Sequence, residues 1–164
     1  MKKNLCFLIV CVFFQSCSCQ NIDFNKIIDK YDSLDFSQLR NMSIYRGIST
    51  QNMITRLCVN IYHGSCSPYL VKLNEKNGNI IEINNDLVLD YCGKDYLSRE
   101  KIESVVKKYL ELDLYLVQVD NDGNVYIKPY QGRRRLVFLR KLPDSTPKDL
   151  NLFKHYKGNW YIRE

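Results

Sequence analysis

The chain has 164 residues, 24 lysines and arginines against 18 aspartates and glutamates, a formal charge of +6, seven cysteines and two histidines. That length holds one domain with a genuine hydrophobic core and leaves two domains cramped. No catalytic motif stands out, and two histidines leave little material for a metal site or a general base.

At the front, Lys2 and Lys3 precede an uncharged apolar run from Leu5 to Phe14. Crossing a bilayer takes about 20 apolar residues, and this run stops well short. It is apolar on every side, whereas a helix of a globular body shows a polar face. A charged start, a short greasy run and small residues behind it form a signal-peptide pattern.

Phe14, Gln15, Ser16 and Cys17 then resemble the lipobox of bacterial lipoprotein precursors, although Phe14 and Gln15 depart from the usual Leu and small residue. The resemblance covers only the front of the chain. It implies diacylglycerol on the Cys17 thiol, cleavage just before that residue and acylation of the new amino terminus. Several acyl chains together make a stable anchor, because one alone binds membranes marginally. Ser18 and Cys19 offer an alternative lipidation site, and Ser16 with Ser18 also satisfies the small-x-small pattern of plain secretion. The expected division is a signal peptide over 1–16, a lipidated tether over 17–21 and a single α+β domain over 22–164. An envelope location, with the body in the periplasm or at the cell surface, removes nucleic acid from the partners. The basic excess that survives loss of Lys2 and Lys3 points to anionic surfaces, glycans or an acidic protein.

Behind the tether, Phe24, Ile27, Ile28, Tyr31 and Leu34 recur at helical spacing and predict a first helix. In "STQNMITRLCVNIYHG", Met53, Ile54, Leu57, Cys58, Ile61 and Tyr62 predict a second, capped by Ser49 or Thr50 and ended by Gly64. "YLVKLNEKNGNIIEIN" turns at Asn77 and Gly78 and predicts a β-hairpin. A third helix starts near Ser98 and turns Ile102, Val105, Val106, Tyr109 and Leu110 inward. "LYLVQV", "VYIKPY", "RRRLVFLRKL" and the pair "LNLFKHY" and "NWYIRE" predict antiparallel strands. Pro147 in "STPKDLNLF" alternatively opens a short helix. The expected fold class is therefore α+β: two N-terminal helices, a hairpin, a third helix, then a four- to five-stranded antiparallel sheet. That order and the closing "KGNWYI" also resemble NTF2-like cone domains, whose curved sheet wraps helices and often leaves a pocket.

With Cys17 lipidated and Cys19 in the tether, Cys58, Cys66 and Cys92 remain, an odd number in a compartment where disulfides persist. Cys66 and Cys92 flank predicted elements and are the favoured pair, while Cys58 sits on an apolar face. A zinc site from Cys58, His63, Cys66 and Cys92 lacks any C-x-x-C pair and regular spacing. "DNDGN" over 120–124 invites calcium, but position 129 is proline where an EF-hand needs glutamate, so a hairpin turn is favoured.

Arg133, Arg134, Arg135 and Arg140 fall around an apolar strand centre and read either as the wet ends of a buried strand or as an anion clamp. Tyr126, Tyr130, Tyr156, Trp160 and Tyr161 crowd the same strands and are candidate contact residues, tyrosine being rigid with a polar tip. No cofactor or metal is implied. The expected function is a lipid-anchored envelope protein that binds a protein partner of acidic character without catalysis, concretely an immunity protein or inhibitor. The alternatives are a pocketed domain binding a small ligand or cell-wall fragment, and a hydrolase using Cys92 with His63 or His155.

Overall fold

The computed structural model describes residues 22–47, 54–129 and 136–164. Helix α1 (Phe24–Tyr31) starts where the Asp23 carboxylate accepts a hydrogen bond from the Lys26 amide, and it buries Ile27, Ile28 and Tyr31. Four strands follow in hairpin succession: β1 (Met42–Arg46), β2 (Ile54–Ile61), β3 (Tyr69–Asn74) and β4 (Ile80–Asn84). Two helices come next, α2 (Asp86–Cys92) and α3 (Arg99–Leu110), the latter capped by the Ser98 hydroxyl. They return the chain to β5 (Leu116–Val119), which pairs antiparallel with β1. β6 (Val125–Lys128), β7 (Val137–Arg140), β8 (Lys154–Lys157) and β9 (Trp160–Arg163) complete the series.

Among the described residues the result is one nine-stranded antiparallel sheet in the order β4-β3-β2-β1-β5-β6-β7-β9-β8 with three α-helices. This corrects the expected fold class. The chain is mostly β, and the two-helix start with a separate sheet of four to five strands is not what forms. The predicted second helix is strand β2 across its described residues. Ile54, Leu57, Cys58 and Ile61 fit a helical stripe, but Thr55, Leu57 and Val59 are buried while Arg56 and Asn60 are not, a two-residue alternation. β-Branched Ile54, Thr55, Val59 and Ile61 favour the pleated alternative. The hairpin foreseen at Asn77 and Gly78 is present but belongs to the same sheet. The stretch after Pro147 makes one 3-10 turn, Leu150–Leu152, before β8.

Alternation along the strands divides the sheet into two unlike faces. One face presents Ile44, Leu57, Val59, Tyr69, Val71, Val117, Ile127, Phe138 and Trp160, and all three helices lay their buried side chains on it. The other gathers a smaller cluster, Tyr126, Val137, Leu139 and Phe153, with Tyr62, Leu150 and Tyr161 around it.

Candidate functional site

Cys17, Cys19, Tyr130, Arg133, Arg134 and Arg135, expected as lipidation and binding residues, lie outside the described residues. The remaining sequence-predicted residues divide between the two faces. Tyr126, Leu139 and Tyr161 lie abreast on β6, β7 and β9, on the face away from the helices. Tyr126 stacks on Tyr62 at 5.7 Å between ring centroids, meets Phe153 edge-on, and donates to the Asp149 carboxylate at 2.9 Å. Burial, then the contacts with Tyr62 and Asp149, push the Tyr126 hydroxyl well above the usual phenol range. Tyr161 meets His155 edge-on, and the His155 Nε2 lies 2.9 Å from the Gly158 carbonyl.

Trp160 faces the opposite way. It is buried against α1 and donates from its indole nitrogen to the Asp32 carboxylate at 2.7 Å. Tyr156, on the edge strand β8, contacts Phe24 edge-on. Arg140 donates to the carbonyls of Asp32 at 2.7 Å and Leu34 at 3.1 Å, and its guanidinium lies over the Phe36 ring at 4.9 Å. These carbonyls close the C-terminal end of α1, where a cation offsets the helix dipole. Arg140 thus joins helix to sheet.

Cys66 and Cys92 are bonded to each other, as favoured from the sequence, and Cys58 is free. The zinc and Cys92-nucleophile schemes both need thiols that this bond consumes. His63 takes a positive φ of 51° in the turn that follows strand β2. "DNDGN" is a hairpin turn: one Asp120 carboxylate oxygen accepts from the amides of Asp122, Gly123 and Asn124, and the other accepts from the Asn124 side chain. Gly123 supplies a φ of 100° there.

Two features escaped the sequence reading. The first is a half-exposed row across the face away from the described helices, Leu70, Cys58, Tyr45 and Leu116, aligned by strand register on β3, β2, β1 and β5. A hydrogen bond with the Cys58 thiol, followed by partial burial, pushes the Tyr45 hydroxyl up to about 12. Its signal was the alternation Met42, Ser43, Ile44, Tyr45. The second is α2, where Asp86 and Asp90 stand one turn apart and Leu87, Leu89 and Tyr91 are exposed.

Between the tip of the β3–β4 hairpin and α3 lies an open groove of about 580 Å³, lined by Asn77, Asn79, Ile80, Val106, Lys107 and Leu110 among others. Among the described residues no helix is long and apolar enough to cross a membrane. Compared with known families, curated proteins and solved structures, the chain finds no match.

Proposed function

We propose that this is a lipid-anchored protein of the cell envelope whose folded body binds another protein and performs no catalysis. An immunity protein or inhibitor that shields the envelope from a toxin is the concrete form of that reading. The observation that carries it is the Cys66–Cys92 bond. Such bonds persist where the surroundings are oxidising, which agrees with a leader over 1–16 that is cut before Cys17. The same bond ties up the sulfur that a Cys92 hydrolase would use. Mass spectrometry of the mature amino terminus is expected to find an acylated Cys17, and Cys17→Ser should move the protein from the membrane fraction to the soluble one. Intact, unprocessed chain in the cytosol would overturn the reading.

The groove beside α3 favours a second reading, binding of a small ligand or cell-wall fragment. Its floor, from Ile80, Val106 and Leu110, is apolar and its rim is amide and charge, a usual division for a ligand site. Soluble cell-wall muropeptides should then raise the melting temperature with concentration. A flat response discards this second reading.

A further inference from the structure

Four of the large apolar side chains exposed among the described residues belong to β4 and α2: Ile81 at 55%, Leu87 at 41%, Leu89 at 43% and Tyr91 at 78%. With 3.6 residues per turn, Val88 and Cys92 share the side of α2 that meets the body. Val88 is buried and Cys92 is bonded to Cys66. Asp86 and Asp90 form the opposite crest, with Leu87 and Tyr91 on one flank and Leu89 on the other. A helix of this length does not stand alone in water, so the disulfide and Val88 hold it in place with its apolar flanks outward.

The local charge runs against that of the whole. The chain is +6, yet over residues 80–96 Glu82, Asp86, Asp90 and Asp95 face a single lysine, Lys94. Glu82 is paired with Lys72, and Asp95 and Asp86 accept from the side-chain amides of Asn85 and Asn84, while Asp86 and Asp90 both stay exposed on the crest without a cation beside them among the ion pairs of the described residues. An anionic ridge between apolar flanks repels anionic lipid headgroups and the same ridge on a second copy. It suits a surface that sets a cation between greasy neighbours.

We propose that the outward side of α2, Asp86 and Asp90 with Leu87, Leu89 and Tyr91 beside them, is the docking surface for a protein partner that presents lysine or arginine flanked by apolar side chains. This rests on the binding-protein reading above and specifies its partner as locally basic, where the charge of the whole chain suggested an acidic one.

The test places a photo-cross-linking p-benzoylphenylalanine at Tyr91, and separately at Tyr45, in the full-length chain in its native cells. The Tyr91 position should yield an adduct with one protein whose cross-linked peptide carries lysine or arginine beside apolar residues. Asp90→Lys, and Asp86→Lys combined with it, should lower that yield about tenfold or more while circular dichroism shows the chain still folded, and Lys94→Glu leaves the yield intact. A lipid adduct, a product of twice the chain mass, an acidic cross-linked peptide, indifference to the charge reversal or no adduct at Tyr91 would each overturn the proposal. A partner captured from Tyr45 but not from Tyr91 sinks this surface and leaves the binding-protein reading standing.

Discussion

The two faces of the sheet are built on different principles. The helical face is one continuous core, running from Tyr69 and Val71 on β3 to Trp160 and Ile162 on β9, with α1, α2 and α3 laid across it. On the other side, among the described residues, cover lies at the β6–β7–β9 end, with Phe153 and Leu150 over Tyr126 and Leu139. Beyond that cover, Leu70, Cys58, Tyr45 and Leu116 lie partly exposed. Stability is therefore invested in one side of the sheet. The lesson is that a strand residue's contribution here depends on its parity more than on its type.

The strongest challenge to that contrast is truncation on each face. Phe138→Ala, which empties a fully buried site against Phe24, should cost about 3–5 kcal/mol. Leu70→Ala should cost under about 1 kcal/mol, both read by denaturant unfolding. Equal costs would mean that the face away from the described helices is covered in solution. Next in size is replacement of Cys66 and Cys92 by serine. A bridge spanning 26 residues is worth about 2–4 kcal/mol, and the loss should concentrate in α2, whose sole buried side chain is Val88. Hydrogen exchange of α2 amides checks this, and uniform acceleration across the sheet would show that the bond supports the whole core instead.

The smallest effect is electrostatic and separates the faces by cause. Tyr109, on the helical face, and Tyr45, on the other, both have hydroxyls pushed up to about 12, the first chiefly by burial and the second chiefly by its bond with Cys58. Because folding raises both above the unfolded value near 10, each favours the folded state fully below about pH 10 and loses that contribution as pH climbs through 12. Cys58→Ala should return Tyr45 towards 10 and leave Tyr109 unmoved, as followed by tyrosinate absorbance. Movement of both would break the distinction.

The sequence made some of this legible. α1, the hairpin at Asn77 and Gly78, α3 with its Ser98 cap and the closing strands all follow from local signals, namely apolar period, turn chemistry and capping. Strand β2 did not, because the positions 54, 57, 58 and 61 satisfy a helical period as well as they satisfy pleating. β1 is a five-residue strand whose only signature is Met42 and Ile44 alternating with Ser43 and Tyr45. The unity of the sheet was hidden for a different reason. It depends on β1 meeting β5, and no local pattern encodes a partner so distant in the chain. Of the candidate contacts, Tyr126 and Tyr161 did come together, while Trp160 was turned inward by the parity of β9 and Arg140 was drawn to the end of α1.

The seam between β1 and β5 joins Met42 to Val119 and Ile44 to Val117. Until Val119 has been delivered, the first four strands form a half-sheet with β1 as an open border of unmet amides and carbonyls, a template for wrong pairing. In a chain made amino terminus first, that border stays open until β5, far along the sequence from β1, has been completed. Closing the sheet thus waits on its second half, and speeding the arrival of β5 should protect the protein more than strengthening the first four strands.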